Sequence, residues 1–424
     1  MIKLQQMPKY SAYKDSGVEW LGEIPERWEL TRLGTRFKER KEKVSDSDYP
    51  PLSVTKNGIV PQLANAAKTN DGDNRKLVRS GDFVINSRSD RKGSSGISDR
   101  AGSVSLINII LEPQGIIPKY CHYLLKSYAF IEEFYRMGHG IVADLWTTRY
   151  DEMKAVMMGI PPLPEQTAIA AFLDKKTAQI DAAMGIKQKQ IALLKERKQI
   201  LIQNAVTQGL NPNAPMRDSG VEWIGEIPKH WEVKRIKYVL DERNERSKIG
   251  LETLFMVSQV HGLVVRSEFH EKAEVAQSNI DNKLVYENDL VFNKLKAHLG
   301  VFFKSTIEFK GLVSPDYAVY KSKGLIQDLK YLEHLFRHPA YIGQFIIRAT
   351  GVAEGLIRLY TDDLFDIFIP VPPKDEQEKI LQLIKDEAIK FDQAIDLQQQ
   401  QIDKLKEYKA TLINSAVTGK IRVV

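Results

Sequence analysis

The sequence predicts an α+β fold in which two mixed, mostly β domains are separated by an antiparallel pair of long helices, related by a pseudo-two-fold internal repeat. Three observations lead to this fold class. A 16-residue segment occurs twice, a helical segment with a heptad pattern also occurs twice, and the residues between these repeated borders contain short strand-like runs. The 424 residues are enough for two or three hydrophobic cores.

The first repeated border is DSGVEWLGEIPERWEL at residues 15–30. It returns as DSGVEWIGEIPKHWEV at residues 218–233, with twelve of sixteen positions identical. The two copies hold four of the five tryptophans of the chain, and each contains a proline that excludes a central strand. We interpret each copy as an extended clasp whose indoles pack into apolar pockets of a domain, with a ligand site as the alternative.

The second repeated border is helical. Residues 159–176 match residues 370–387, and the prolines at the start of each segment end whatever precedes the helix. Glu165 stands where a helix N-terminus favours negative charge. The apolar positions that follow form heptad seams, which in the first copy contain Leu173, Thr177, Ile180, Met184, Ile191, Leu194 and Leu201, and in the second Ile384, Ala388, Phe391, Ile395, Ile402, Leu405 and Leu412.

Polar residues interrupt both seams at equivalent places, with Lys187 matching Gln398 and Lys198 matching Lys409. Matching interruptions indicate a paired coiled coil in a fixed register, although two separate amphipathic helices remain the alternative. Because the two ends of a domain are often close together, the second helix must run back along the first. We therefore expect a domain at residues 1–160, a helix at 161–209, a second domain at 210–371, and a second helix with its tail at 372–424.

The composition is that of an ordinary globular protein, with 43% hydrophobic and 27% charged residues and a net charge of +6. This positive balance permits a polyanionic partner without proving one. The single cysteine, Cys121, excludes internal disulfides and cysteine-rich zinc sites. The first residues lack the apolar run of a signal peptide and no stretch has the length of a membrane span, so we expect a soluble, cytoplasmic protein.

Catalytic and cofactor-binding motifs are absent from the sequence. It contains no phosphate-binding P-loop, no Gly-x-Ser-x-Gly elbow, and no Asn/Asp-Pro-Pro-aromatic string beside a glycine-rich turn. His334 and His338 have i, i+4 spacing but lack a third ligand, which favours a helix-end pair over a metal site. We therefore expect no catalytic residue, metal site or cofactor in this chain.

The residues between the borders offer strand-like runs, short helices at 120–137 and 328–347, and polar loops. The run GDFVINSR at residues 81–88 corresponds to NDLVFNKL at 288–295, and each leads into a loop with basic and small residues. Such loops allow close approach to phosphates or base edges, although a solvated surface turn is the alternative. Two more loop pairs, 55–60 with 258–264 and 138–149 with 349–358, are similar. The candidate DNA-contacting residues are Lys56, Asn57, Arg88, Arg91, Lys92, Ser94, Ser95, His139, Arg149, Gln259, His261, Lys294, Lys296, His298 and Arg358.

The GEIPxxWE border, the GDFVINSR-type strand and loop, and the PPLPEQ start of a long helix together resemble the specificity subunit of type I restriction-modification systems. The resemblance covers the whole chain, in duplicate. It implies two target-recognition domains that each read one half of an asymmetric bipartite DNA target, with half-site centres roughly 34 Å apart. It also implies that the helices fix the gap and dock two methyltransferase subunits, which motor-nuclease subunits join. S-adenosylmethionine, ATP and Mg²⁺ are then expected on these partner subunits.

Other interpretations remain open on the sequence alone. A two-site DNA-binding regulator would keep the DNA but need no enzyme partner, and the sequence lacks a helix-turn-helix signature for it. A protein–protein scaffold would carry two β domains on a coiled coil and show no affinity for nucleic acid. A degenerate methyltransferase would bind S-adenosylmethionine.

Overall fold

The computed structural model describes residues 6–64, 71–140, 146–269, 278–351 and 358–423. The chain divides into two compact units. Unit 1 consists of residues 1–189 and 398–424, and unit 2 consists of residues 190–397. Each unit therefore contains a β-rich part together with segments of both long helices, and the four-segment division of the sequence stays a prediction.

Unit 1 is built from short antiparallel strands, three short helices, and parts of the two long helices. Its elements in chain order are β1 (Tyr13–Asp15), β2 (Glu23–Pro25), β3 (Glu29–Arg32), β4 (Phe37–Glu39), β5 (Lys43–Val44), β6 (Leu52–Thr55), β7 (Gly58–Pro61), β8 (Arg75–Val78), β9 (Phe83–Asn86), β10 (Ser95–Ile97), β11 (Gly102–Val104), β12 (Asn108–Pro113), α1 (Pro118–Leu125), α2 (Tyr128–Arg136), α3 (Tyr150–Met153), β13 (Met157–Ile160) and α4 (Leu163–Gln208), which continues into unit 2.

Unit 2 repeats this arrangement. Its elements are β14 (Met216–Asp218), β15 (Glu226–Pro228), β16 (Glu232–Arg235), β17 (Leu240–Glu242), β18 (Phe255–Ser258), β19 (Gly262–Val265), α5 (Arg266–Phe269), β20 (Lys283–Tyr286), β21 (Leu290–Asn293), β22 (Phe302–Lys304), β23 (Lys310–Val313), β24 (Tyr317–Ser322), α6 (Lys330–Leu335), α7 (Pro339–Arg348), α8 (Thr361–Phe365), β25 (Phe368–Val371) and α9 (Lys374–Val417), which continues into unit 1.

The same four-stranded antiparallel sheet forms the centre of each unit, in the order β10-β9-β12-β4 in unit 1 and β22-β21-β24-β17 in unit 2. The apolar run of β9 is buried on both faces of its sheet. Phe83 and Ile85 join the larger core beside the helices, whereas Val84 joins a smaller core beneath the β6–β7 hairpin. Both faces being covered explains why this strand lacks the apolar–polar alternation of a half-exposed one. The two segments between the repeated borders, whose sequences differ, thus form the same central sheet.

The clasp prediction is confirmed by the two most buried tryptophans. Trp28 and Trp231 are each 1% exposed. Trp28 Nε1 donates to Glu165 Oε1 at 3.0 Å, and Trp231 Nε1 donates to Glu376 Oε2 at 2.9 Å. Both glutamates lie in the first turn of a long helix. Each carboxylate therefore accepts the indole hydrogen bond at a position where the helix dipole also favours a negative charge. In each unit, therefore, the tryptophan border packs against the start of the long helix that forms the other repeated border.

The paired-helix prediction is also confirmed within each unit. In unit 1, Lys187 Nζ donates to Gln398 Oε1 at 3.2 Å, so the matching interruptions of the two seams meet each other. In unit 2, Lys198 Nζ lies 2.7 Å from a carboxylate oxygen of Asp392. Within unit 1, Asp181 of α4 pairs with Lys409 of α9, and Lys187, further along α4, pairs with the earlier residue Gln398, so the pairing is antiparallel. Ile186, which lies off the predicted seams, is 59% exposed.

Between the repeated borders, the structure differs from the sequence predictions in two details. The helices expected at 120–137 and 328–347 are each two helices, because Ser127 and His338 cap a new helix: their side chains accept from the amides of Phe130 and Ala340. The strand-like runs AGSVSLINIIL at 101–111 and VFFKSTIEF at 301–309 look similar in the sequence but are not counterparts in the structure. The first contains β11 and β12, whereas the second contains β22, whose counterpart in unit 1 is β10.

Candidate nucleic-acid interface

The polar loop of unit 1 begins where β9 ends. Asn86 is the last residue of this buried strand, and its Oδ1 accepts the backbone N–H of Arg88 at 3.0 Å, which turns the chain away from the sheet. The loop then forms a 3-10 turn at Ser89–Arg91 and returns into β10. The Asn86 N–H donates to the Ser94 carbonyl at 2.9 Å and closes the loop. Unit 2 repeats the opening turn, with Asn293 Oδ1 accepting the N–H of Leu295 at 3.0 Å.

An open cleft of about 630 Å³ lies between this loop and the β6–β7 hairpin. It brings together three residues that the sequence predicted, Lys56 from the hairpin and Arg91 and Ser94 from the loop. Polar side chains dominate the rest of its lining, which consists of Leu52, Ser53, Val54, Thr55, Gln62, Leu63, Arg75, Asn86, Asp90, Ser105 and Asn108. The basic and amide groups at this surface can contact phosphates and base edges.

Arg75 and Arg91 occupy opposite extremes of exposure in this cleft. The Arg75 side chain is 4% exposed and donates through Nε to Ser103 Oγ at 2.8 Å, and burial lowers the pKa of its guanidinium. The Arg91 side chain is 67% exposed, with its Nε 3.4 Å from a carboxylate oxygen of Asp90. Such an exposed ion pair is weak, so the Arg91 guanidinium can exchange Asp90 for a phosphate or a base edge at little cost.

Lys126 of the α1–α2 junction ties the two walls of the cleft together. Its ammonium donates to the Lys56 carbonyl at 2.8 Å and to the Ser95 carbonyl at 2.9 Å. Burial lowers the pKa of this amine to about 8. The walls also touch directly, since a Cβ at Gly96 would lie 3.0 Å from the Gly58 Cα. The hairpin and β10 are therefore held in fixed positions.

A second cavity of about 370 Å³ adjoins the first and shares Asn108 with it. Two predicted residues, Arg88 and Arg149, line this cavity, and both are exposed. Arg88 and His139 each form a β-bridge with Thr147. The predicted loop at 138–149 thus meets the predicted loop at 86–96, although its residues 141–145 lie outside the described part of the chain.

The other predicted residues of unit 1 have different surroundings. Lys92 is engaged by Glu132, with 2.6 Å between Nζ and a carboxylate oxygen. Asn57 is exposed at the tip of the β6–β7 hairpin and does not line the cleft. Ser95 is fully buried within β10, which makes it the poorest contact candidate of the set. His139 is exposed, with its Nε2 3.7 Å from Glu152.

In unit 2 the structure brings Lys294 and Arg358 to one end of the central sheet. Lys294 opens the 3-10 helix Lys294–Leu299 after β21, and its carbonyl accepts the N–H of Leu359 at 3.2 Å. Its Nζ lies 3.6 Å from Glu242, and an Arg358 nitrogen lies 3.4 Å from Asp316. The basic groups of unit 2 therefore stand beside carboxylates.

The remaining predicted residues of unit 2 are at the surface or undescribed. Lys296 is exposed within the same 3-10 helix. Gln259 and His261 are exposed at the turn of the β18–β19 hairpin, the counterpart of the β6–β7 hairpin. The side chain of His298 and residues 352–357 of the predicted loop lie outside the described part of the chain.

Sequence reasoning missed Arg75, Asn86 and Asn108, which line the unit 1 cleft, and Lys126, which bonds to the backbone of its two walls. Asn108 faces Asn86 across the β9–β12 pairing, a contact between distant segments that no local pattern reveals. Asn86 itself carried a signal, because an asparagine ends the matching apolar runs FVIN and LVFN in both halves of the chain.

No cluster of histidine, cysteine and carboxylate side chains suited to a metal ion occurs among the described residues. Within the same residues, none of the helices combines the length and the apolar character needed to cross a bilayer.

Comparison with known proteins gives full-length relatives. No protein-family model matches the chain. It is 25% identical to the putative type I restriction enzyme MjaX specificity subunit of Methanocaldococcus jannaschii over 100% of both chains. It is 24% identical to the type I restriction enzyme MjaVIII specificity subunit of the same organism, over 94% of each chain.

Solved structures share the fold. A chain from a study of complex assembly and conformational transition of the type I R-M system superposes with a TM-score of 0.65 at 14% identity, covering 93% of this chain and 98% of the other. The HsdS subunit from Thermoanaerobacter tengcongensis gives a TM-score of 0.50 at 15% identity, covering 94% and 98%.

Proposed function

The chain is a specificity subunit of the type I restriction-modification family, and we propose that each of its two β-rich units reads one half of a bipartite, asymmetric DNA target. It is itself non-catalytic, since in this family the catalytic roles belong to partner subunits. For this role we expect the chain to bind double-stranded DNA and the other subunits of an assembled complex.

One observation carries this proposal: the two units share a sheet topology but not their polar loops. The loop after β9 presents Arg88 and Arg91, whereas the loop after β21 presents Lys294 and Lys296 at the equivalent strand end. A common scaffold with different side chains at the same place suits two readers of different sequences, because base edges are distinguished by the donors and acceptors presented to them.

The repeated borders support docking of the same partner at two places. Glu19 and Glu23 are identical in the other copy, as Glu222 and Glu226, and all four are exposed. Among the described residues they make no side-chain hydrogen bond or ion pair, so packing within the chain does not account for their repetition. We propose that two methyltransferase subunits dock at these equivalent surfaces, and that motor-nuclease subunits join them. S-adenosylmethionine, ATP and Mg²⁺ would be held by these partners, and the whole assembly would act in the cytoplasm.

The test is the genome-wide adenine methylation pattern of cells that contain the partner methyltransferase, with and without this chain. We expect one bipartite motif to be methylated only when the chain is present. Charge reversal at Glu19 together with Glu222 should abolish methylation of the whole motif, whereas reversal of Glu268, an exposed residue outside the repeated borders, should not. A methylome that is the same with and without the chain contradicts the proposal.

A further inference from the structure

Asn86 combines deep burial with an unused hydrogen-bond donor. Its side chain is 7% exposed and lines the unit 1 cleft. Its Oδ1 is occupied by the Arg88 N–H, and its carbonyl oxygen accepts the Tyr135 hydroxyl at 2.9 Å. Its Nδ2 donates to no other residue in the described part of the chain. Both backbone and side chain are thus fixed, while the two N–H donors of the NH₂ group are left for a partner in the cleft.

The orientation of this amide follows from its neighbours. A backbone N–H can only donate, so the atom of Asn86 that faces the Arg88 amide must be the oxygen. The NH₂ group is then the one available to the cleft. This matters because asparagine usually recognises adenine with both atoms of its amide, accepting from N6 and donating to N7. The oxygen of Asn86 already accepts the Arg88 N–H, whereas its NH₂ group has no partner among the described residues, so the NH₂ group is the part of the amide that is free to bind a base edge.

Other residues of the cleft also carry hydrogen-bond donors. Lys56 and Arg91 line the same cleft and can only donate. The neighbouring Asn108 donates from Nδ2 to the Ser105 carbonyl at 3.1 Å, and its own Oδ1 is buried out of reach. Acceptors also line the cleft: the Asp90 carboxylate, which is paired with Arg91, the Gln62 amide oxygen and several serine and threonine hydroxyls. The groups that can only donate are the ammonium of Lys56 and the guanidinium groups of Arg75 and Arg91.

We propose, resting on the proposed function, that Asn86 determines specificity in the half-site read by unit 1 by donating to N7 or O6 of a guanine. The major-groove edge of guanine presents two adjacent acceptors, whereas adenine carries at the second position its N6 amino group, which cannot accept from the Asn86 NH₂ group, Lys56 or Arg91. Lys126 acts as a positioning residue, because it holds the hairpin and β10 on either side of Asn86 before DNA arrives.

The test is selection from DNA with both half-sites randomised, using the complex of this chain with its partner methyltransferase. The variant is Asn86→Asp, which keeps an oxygen for the Arg88 N–H and converts only the free donor into an acceptor. Asn57→Asp is the matched control for charge, since Asn57 is exposed at the tip of the neighbouring β6–β7 hairpin but outside the cleft. Asn293→Asp makes the same change at the equivalent turn of unit 2.

We expect the wild-type complex to select guanine at one position of the unit 1 half-site, and Asn86→Asp to lose that preference by about tenfold or more in favour of cytosine or adenine. The other half-site should be unchanged, which shows that the variant folds and assembles. Asn57→Asp should weaken binding to all sequences equally, and Asn293→Asp should leave the unit 1 half-site intact.

Three outcomes overturn the inference. Asn86→Asp could select the wild-type motif, or weaken binding uniformly as Asn57→Asp does. Loss of both half-sites in Asn86→Asp, together with an unchanged motif in Asn86→Ala, would also contradict it, because alanine removes the donor without adding charge. If the wild-type complex selects no bipartite motif, the proposed function itself fails; a wild-type motif that Asn86→Asp leaves intact refutes only the role of Asn86.

Discussion

Replacing Gln377 by methionine should destabilise unit 2 more than replacing Gln166 destabilises unit 1. Each glutamine follows the clasp glutamate and is almost fully buried, at 2% and 1% exposed. Gln377 makes three hydrogen bonds, accepting the Gln327 N–H at 3.1 Å and donating to the Leu325 and Pro372 carbonyls, both at 2.9 Å. These bonds join the start of α9 to the segment before α6.

Gln166 makes two such bonds, accepting the Ile117 N–H at 2.8 Å and donating to the Pro161 carbonyl at 2.9 Å. At about 1 kcal/mol net for each bond, Gln377→Met should cost about 3 kcal/mol and Gln166→Met about 2 kcal/mol. Methionine keeps the volume, so the loss reflects backbone groups left unpaired rather than a cavity.

The assay is urea unfolding followed by hydrogen exchange and mass spectrometry, because peptides from β25 report on unit 2 and peptides from β13 on unit 1. Gln377→Met should lower the unfolding free energy measured on β25 and leave that measured on β13 unchanged. Gln166→Met should do the opposite, lowering the value measured on β13 only. Glu378→Met, at the exposed neighbouring position, is the control. Equal effects of Gln377→Met and Glu378→Met would refute the reasoning.

Three further predictions concern the cores and the helix seam. Burial lowers the pKa of His334 to about 3. Because the unfolded chain takes up this proton near pH 6.5, the unfolding free energy of unit 2 should fall by about 2 kcal/mol between pH 7 and pH 4.5. Urea unfolding of His334→Gln should show a smaller fall, and an equal fall in the variant and the wild type would contradict the prediction. Lys187→Leu should raise the melting temperature by completing the seam beside Gln398, and a lower melting temperature would contradict this. Trp231→Phe should cost about 1–2 kcal/mol in urea unfolding, since Glu376 loses its indole donor. Glu376→Gln should cost less in the phenylalanine background than in the wild type, because only the contact with His230 is then left to lose; equal costs in the two backgrounds would count against the indole contact.

The features that the sequence predicted well depend on local pattern or on repetition. The heptads place Leu173, Ile180, Leu405 and Leu412 in the buried seam, where the structure has them. The duplicated borders indicated two equivalent domains and their clasps. Neither inference needs knowledge of which strands pair, because periodicity and self-similarity are visible within one segment.

The features that it missed depend on contacts between distant segments. Strand order was not predicted, and so the cleft between residues 56, 91 and 108 could not be assembled from them. The helix expected at 120–137 continued through Ser127 because its apolar periodicity continues, whereas a side-chain cap to Phe130 begins a new helix there. The basic loops were found by composition, but their ion pairs, such as Lys92 with Glu132, depend on the tertiary fold.

The discontinuity of unit 1 has a consequence for biosynthesis. Unit 2 is one continuous stretch, residues 190–397, whereas unit 1 needs residues 398–423 to complete its core. Lys420 Nζ donates to the Leu21 and Glu23 carbonyls, and the Arg422 N–H donates to the Pro8 carbonyl at 2.7 Å. Domains generally fold in the order in which the ribosome releases them, starting from the N-terminus. For this chain we expect the reverse order: unit 2 can fold before unit 1 is complete, because residues 8–23 must wait for residues 420–422.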